Sequence, residues 1–237
     1  MGYLLMFLMI GLLILIHELG HFCAAKCVGI PVRQFSIGFG PKLWKFTYKG
    51  TEYRISVFPV GGYVMPDIEA LNDYFAFSFK GRVLFSLAGP FANITAAWAG
   101  LLLINLINSG FGFHSLVVLP VTQLGTMTAE FVQSIPILFS HPKQLSGIVG
   151  LVAFGGQQVG VDMVKLLSLS VLLNINLAFL NLLPLLPLDG GKIVLDVLHR
   201  FRLPVQKLYV PVAVAGWILL LGLMAEVTVN DVSKLWA

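Results

Sequence analysis

The sequence predicts an α-helical integral membrane protein with about four transmembrane helices and a small β-sheet after the first of them. The chain is 57% hydrophobic and only 11% charged, whereas soluble domains carry about 25% charged residues. Four segments are apolar and close to the roughly 20 residues that a helix needs to cross about 30 Å of hydrocarbon. They are residues 2–26, 83–108, 165–186 and 209–226.

These segments also predict the domain organisation. With 237 residues, we expect one intramembrane domain over positions 1–237. Residues 1–108 hold the first two spans and the sheet, residues 109–164 a short extracytoplasmic connector with an interfacial segment, and residues 165–237 the last two spans. Glycines interrupt the apolar part of the middle stretch, which favours an interfacial or re-entrant element over a span.

The first apolar segment is predicted to be a span of the mature protein and not a signal peptide. No positive residue precedes its apolar run, and no small-residue cleavage site follows it. The segment also contains ionisable residues that a removable leader does not need.

Basic residues orient the predicted spans. Of the 15 Lys and Arg residues, eight lie from Lys26 to Arg82 and four from Lys192 to Lys207, which leaves three for the opposite side. We therefore expect a multi-pass protein of the cell (inner) membrane. The positive-inside rule places both basic loops in the cytoplasm and both termini on the extracytoplasmic side. Because these residues form no dense patch, we expect the lipid bilayer as a partner and no nucleic acid.

Residues 30–66 alternate polar and apolar side chains between glycine turns, which predicts short β-strands. Strand edges are not tolerated against lipid unless protein buries them or they line a wet cavity. A sheet tucked among the helices, with one edge open to a partner, meets that condition. A pair of cytoplasmic hairpins fits the pattern equally well.

The two cysteines, Cys23 and Cys27, lie four residues apart on the first helix. We expect two reduced packing thiols. Cys23 follows His21 by two residues, about 200° around a helix, so it is not expected to share a ligand face with that histidine.

The segment His17-Glu18-Leu19-Gly20-His21 carries the strongest chemical signal. Its two histidines lie one helical turn apart on one face, so both imidazoles can reach one Zn²⁺ at about 2.0–2.1 Å. Glu18 follows the first histidine, where it can act as the base. Ionisable residues inside an apolar span are costly and indicate a functional site by default.

A catalytic zinc site typically needs a third protein ligand and one open position. Four acidic residues near the later spans are candidates: Asp162, Asp189, Asp196 and Glu226. Asp189 is favoured because it follows an apolar run at the cytoplasmic end of the third span and precedes Gly190-Gly191, where a chain can turn sharply. Its alternative interpretation is a simple helix N-cap.

Several further motifs occur in order along nearly the whole chain. They are Phe35-Ser36-Ile37-Gly38-Phe39-Gly40-Pro41, Gly61-Gly62-Tyr63-Val64, Ala88-Gly89-Pro90-Phe91-Ala92-Asn93, Leu145-Ser146-Gly147, and Asn181-Leu182-Leu183-Pro184 through Leu188-Asp189-Gly190-Gly191. With the histidine motif, they resemble the site-2 protease family of intramembrane zinc metalloproteases, closest to the bacterial regulator-of-sigma-E protease branch.

This resemblance implies that Asp189 is the third ligand of one zinc ion per chain, with Glu18 as the catalytic base. It implies that Asn181 positions the substrate or its developing oxyanion. It also implies that residues 30–66 form a membrane-re-entrant sheet in which Gly61, Gly62, Tyr63 and Val64 bind the substrate strand. The expected activity is hydrolysis of a transmembrane protein or peptide within or near the cytoplasmic end of its helix. Self-association into a homo-oligomer is left open.

The chain departs from the branch in three places. The large members carry PDZ domains between the middle spans, and residues 108–144 are too few for one. Ser146-Gly147-Ile148 stands where Ser-Gly-Pro is common, and Pro187 falls one place later than the usual proline. None of these departures affects the expected catalytic residues.

Two other functions compete with proteolysis. A transporter or ion pathway also contains buried charges, and a non-catalytic scaffold could bind membrane helices. The intact Glu18 beside a full set of expected ligands favours the enzyme.

Overall fold

The computed structural model describes residues 1–140, 147–159 and 162–236, and the part of the chain that it describes is mainly helical. Two compact units are present. One, called the site unit below, comprises residues 10–93 and 177–217. The other comprises residues 1–9, 94–176 and 218–237. All of the predicted site residues belong to the site unit.

The helices follow the apolar segments of the chain. Their bounds are α1 Gly2–Val28, α2 Leu71–Ala76, α3 Phe79–Ser109, α4 Leu119–Ser140 after a π-helical turn at His114–Val118, α5 Ile148–Val159, α6 Met163–Asn181, α7 Asp189–Arg200 and α8 Val205–Trp236. Helix α1 ends at Val28 and is followed by Gly29, whose φ of 77° is the left-handed conformation typical of the residue after a helix.

Among the described residues, five segments are long and apolar enough to cross a membrane. They are Gly2–Val28, Phe79–Ser109, His114–Pro136, Met163–Asn181 and Lys207–Lys234. Four coincide with the predicted spans. The fifth, His114–Pro136, runs through the stretch predicted as a short connector. Its mean hydropathy of 1.3 is the lowest of the five, because polar residues interrupt it, and this hid it from a search for continuous apolar runs.

The predicted strands in residues 30–66 are present. Strand β1, Val32–Tyr48, pairs with β2, Thr51–Pro66. The two-residue connection, Lys49-Gly50, has φ values of 47° and 77°, which suit the tight hairpin turns that join two strands with the natural twist.

The first half of β1 lies inside the sheet, because the four residues from Gln34 to Ile37 each have two partners in β2. Phe35 pairs with Tyr53 and Val64, and Ile37 pairs with Ile55 and Gly62. The last part of β2, from Gly62 to Pro66, has register partners only in β1 among the described residues. That part of β2 is therefore an edge of the sheet.

The sheet packs against α1 within the site unit. A Cβ atom built on Gly11 of α1 would lie 2.4 Å from the carbonyl oxygen of Pro59, and one built on Gly61 would lie 2.7 Å from Ile14. Lys26 also donates from Nζ to Thr51 Oγ1 at 2.7 Å. The sheet is therefore packed on a helix of the same unit.

The turn between α6 and α7 is as tight as the glycine pair predicts. A Cβ atom on Gly190 would lie 2.2 Å from the Leu182 carbonyl oxygen, and one on Gly191 would lie 2.5 Å from the Leu185 carbonyl carbon. Only glycine allows this approach. Leu188, and not Asp189, is the N-cap of α7, so the alternative interpretation of Asp189 as a simple cap does not hold.

Candidate metal centre

Helix α1 presents both histidines of the motif to one buried point. His17 and His21 are 5% and 4% exposed, and their Nε2 atoms lie 3.1 Å apart. The one-turn spacing on a regular helix puts the two rings on the same face, as the motif predicts.

Asp189, the first residue of α7, meets both histidines. Its Oδ2 atom lies 3.0 Å from Nε2 of His17 and 3.0 Å from Nε2 of His21. A metal ion needs at least three His, Cys, Asp or Glu side chains whose ligand atoms lie close together. In the described part of the chain, these three side chains form such a group. The structure therefore brings together the three expected ligands.

The other acidic candidates lie elsewhere. Asp196 is paired with Arg82 at 2.6 Å. Asp162 accepts the backbone N–H groups of Val164 and Lys165 at the start of α6, and Glu226 is exposed on α8. Among the described residues, none of them belongs to the group that could hold a metal ion.

The second nitrogen of each imidazole is held by α3. His21 Nδ1 donates to the Phe85 carbonyl oxygen at 2.7 Å. His17 Nδ1 donates to Asn93 Oδ1 at 2.7 Å, and the Asn93 amide is oriented by its own donation to the Leu13 carbonyl oxygen at 3.2 Å. Because a neutral imidazole has one N–H group, these bonds leave both Nε2 atoms as lone-pair acceptors.

This donor set fits a zinc ion. Two bare Nε2 atoms and a carboxylate oxygen face one another with no donor between them, which is unfavourable unless a cation lies among them. Ligands about 2.0–2.1 Å from a tetrahedral zinc lie about 3.3 Å apart, and the three atoms are 3.0–3.1 Å apart. The exposed thiols of Cys23 and Cys27 take no part. They are free, as predicted, but they are not packed.

A close approach of α3 makes room for the two rings. A Cβ atom on Gly89 would lie 2.4 Å from Nε2 of His21 and 2.6 Å from Nε2 of His17. Phe85, Gly89 and Asn93 recur every four residues on one face of α3. Their contacts with the histidines were missed from the sequence. The available signal was the four-residue spacing of Gly89 and Asn93 within the motif at residues 88–93.

Glu18 is half-buried beside the histidines and is held by the sheet. Its Oε2 atom accepts the backbone N–H group of Val64 at 3.0 Å. Gly61 and Gly62, the first two residues of the same motif, lie against Ile14 and Leu15 of α1. Tyr63 accepts a hydrogen bond from Gln34 and another from Arg54.

A cavity of about 560 Å³ opens onto these groups. It is lined by His17, Glu18, His21 and Asp189 together with Tyr63, Val64 and Asn181. Asn181 is the last residue of α6, and its Nδ2 atom donates to the Leu177 carbonyl oxygen at 2.9 Å. An amide carries a second N–H group, and that group has no partner among the described residues.

A buried ion pair fixes α7 against α3. Arg82 donates from Nε to Asp196 at 2.6 Å, and the two side chains are 3% and 0% exposed. Tyr74 of α2, which lines the cavity, donates to the other Asp196 oxygen at 3.2 Å. Burial raises the pKa of the Asp196 carboxyl, and the hydrogen bond and charge of Arg82 oppose that rise.

The predicted Ser-Gly segment is described only in part. Leu145 and Ser146 lie outside the described residues. Gly147, which follows them, donates its backbone N–H group to Asp231 at 2.8 Å.

Comparison with known proteins agrees with the geometry. Residues 5–223 match the model of Peptidase family M50. A protein of Campylobacter jejuni, provisionally named a zinc metalloprotease, is 27% identical over 340 aligned positions, which take in 96% of this chain and 92% of that protein.

Two further relatives match over shorter stretches. A provisionally named zinc metalloprotease of Chlamydia pneumoniae is 43% identical over 112 positions, or 40% of this chain and 18% of the relative. The regulator of sigma-E protease RseP of Escherichia coli is 43% identical over 99 positions, or 37% of this chain and 22% of the relative. The matched part therefore spans less than a quarter of either relative.

Proposed function

The chain belongs to Peptidase family M50, and we propose that it is an intramembrane zinc metalloprotease. It hydrolyses a peptide bond within, or near the cytoplasmic end of, a substrate's transmembrane helix. The observation that carries this proposal is the buried group of His17, His21 and Asp189 with Glu18 on the same cavity. The family and the names of the relatives agree with it.

His17, His21 and Asp189 would hold one zinc ion per chain. When bound, zinc acts as a Lewis acid that polarises the scissile carbonyl and favours deprotonation of the attacking water. Asn93 and the Phe85 carbonyl orient the two imidazoles, so the ligand atoms are arranged before any substrate arrives.

Glu18 moves the proton. It takes a proton from water as the water oxygen bonds to the carbonyl carbon, and it gives that proton to the amide nitrogen as the carbon–nitrogen bond breaks. The products are a carboxylate and an amine. The bond from Val64 to Oε2 of Glu18 fixes the base between the histidine helix and the edge of the sheet.

The substrate meets the edge of β2. A transmembrane helix keeps its carbonyl groups in internal hydrogen bonds, so the substrate has to unwind before it is cut. The edge from Gly62 to Pro66 can take an extended segment by β-strand addition. Tyr63, Val64 and Pro66 of that edge also line the cavity, which supports placing the substrate strand there.

Asn181 helps to position the substrate carbonyl. It lies on the cavity with the expected ligands and has a spare amide N–H group. Such a donor stabilises the negative charge that develops on the carbonyl oxygen.

The same site supports a proposed topology. Because Asp189 contacts His21, the carboxyl ends of α1 and α6 lie on one side, which the basic loops assign to the cytoplasm. The chain between α3 and α6 then begins and ends on the outer side. Helix α5 has 12 residues, about 18 Å, and is too short to cross alone. On this topology α4 and α5 belong to an interfacial or re-entrant element, and both termini lie outside.

A comparison of the wild type with Glu18→Gln tests the function. Membrane proteomes of cells that make each form are compared for single-span proteins that are shortened only by the wild type. Glu226→Gln, an exposed glutamate on α8, is the matched control and should behave as the wild type. The proposal would be excluded if the Glu18→Gln form cleaved the same proteins, or if the same fragments occurred in cells that do not make this protein.

A further inference from the structure

Resting on the proposed metal centre, we propose that Lys192 is a positioning residue that makes Asp189 bind its metal through one oxygen only. Asp189 uses its two carboxylate oxygens differently. Oδ2 lies 3.0 Å from both histidine Nε2 atoms, and Oδ1 lies 2.9 Å from Nζ of Lys192. The lysine therefore holds the oxygen that does not face the ligand group.

Burial makes this contact important for the carboxylate. The Asp189 side chain is 5% exposed, whereas the Lys192 side chain is 37% exposed and reaches the cavity. A buried carboxylate oxygen without a partner is costly. In the described part of the chain, Lys192 is the side chain that satisfies Oδ1.

The pair is held on a rigid part of the fold. Asp189 and Lys192 lie one turn apart at the start of α7, and Gly190 and Gly191 pack that turn directly on the preceding loop. The Lys192 backbone N–H group donates to the Leu188 carbonyl oxygen at 3.2 Å. The backbone of Lys192 is therefore fixed, and only its side chain has to be ordered.

Without the lysine, the carboxylate has a competing arrangement. The terminal torsion of an aspartate is broad, so the carboxyl group can rotate until both oxygens face the metal. A second oxygen would fill a position that a catalytic zinc site keeps open for water or substrate. The Lys192 ammonium group also partly neutralises the Asp189 carboxylate. The carboxylate then donates less negative charge to the metal, which would therefore be a stronger Lewis acid.

The test compares full-length Lys192→Met and Lys192→Arg with the wild type after loading with Co²⁺, whose visible absorption reports coordination number. Lys165→Met is the matched control, because Lys165 also lies three residues after an aspartate, at 3.8 Å, and does not line the cavity. We expect Lys192→Met to retain its metal, change its visible spectrum and lose about 10–100-fold in turnover, as for outer-shell partners in other sites. Lys192→Arg should restore the wild-type spectrum, because a guanidinium can donate to the same oxygen.

An unchanged Co²⁺ spectrum in Lys192→Met would overturn the inference, and so would a loss of metal with no rescue by arginine. Failure of the proposed metal centre looks different, since the wild type itself would then bind neither Co²⁺ nor Zn²⁺. Failure of the proposed function would instead leave metal binding intact and show the same cleavage products in the wild type and in Glu18→Gln.

Discussion

His17 Nδ1 lies 2.7 Å from Oδ1 of Asn93, a residue 76 positions further along the chain. The contact turns the imidazole so that Nε2 faces Asp189. Asn93 lies on α3, and one face of that helix contacts both histidines. On this face the Phe85 carbonyl and the Asn93 amide accept hydrogen bonds from the rings, and Gly89, which has no side chain, leaves room for them. The proposed metal centre is thus built by three helices, although the motif lies on only one of them.

Replacing Asn93 with alanine should weaken zinc binding by about 10–100-fold, because His17 loses the partner that fixes its tautomer. Competition with a chelator on the purified full chain measures this. Asn105→Ala is the control, since Asn105 also lies on α3 but donates to Gln123. An affinity equal to that of the wild type would show that the amide does not orient the ring.

Replacing Gly89 with alanine should abolish stoichiometric zinc binding. The new Cβ atom would lie 2.4 Å from His21 Nε2, so one of the rings has to move. Gly222→Ala is the matched control, because a Cβ atom there meets nothing within 4 Å. Zinc content by elemental analysis decides the result, and a Gly89→Ala protein with one zinc per chain would contradict the described packing.

These contacts show what the sequence could and could not predict. The spacing of His17 and His21 predicted their shared face, because helical periodicity is local. Asp189 lies 168 residues from His21, and no local pattern links them. Its position favoured it among four acidic candidates, and the resemblance then implied that it is a ligand. Gly89 appeared within a motif, but its contact depends on how two helices approach.

The fold shows the same division. Alternating side chains predicted the strands of residues 30–66, but not that Phe35 and Ile37 pair on both sides. Pairing depends on which strands meet, and that information is not contained in the alternation. Helix α4 was missed because the prediction relied on unbroken apolar runs.

Replacing Arg82 with methionine should destabilise the protein by about 3–5 kcal/mol, because Asp196 becomes a buried charge without its partner. Thermal unfolding in detergent measures the change. The double variant Arg82→Met with Asp196→Leu should recover much of the loss, since a buried pair can be replaced by apolar groups. Lys45→Ala removes an exposed pair with Glu52 and should leave unfolding unchanged. If Arg82→Met behaved like Lys45→Ala, the ion pair would have no structural role.

Replacing Asn181 with alanine should lower turnover by about 10²–10³-fold and leave the zinc content unchanged, as expected when a donor to a developing oxyanion is removed. The readouts are cleavage of a substrate found in the proteome comparison and zinc per chain. Loss of zinc, or full turnover, would each rule out the positioning role. Asn181→Ser is the comparison variant, because serine keeps a hydrogen-bond donor at this position on a shorter side chain.

Zinc X-ray absorption on the purified full-length chain tests the central claim most directly. We predict about one zinc per chain with only nitrogen and oxygen neighbours at about 2.0–2.2 Å, and loss of that zinc in Asp189→Ala. A chain that binds no zinc, or one whose zinc has a sulfur neighbour at about 2.3 Å and persists without Asp189, would contradict the account.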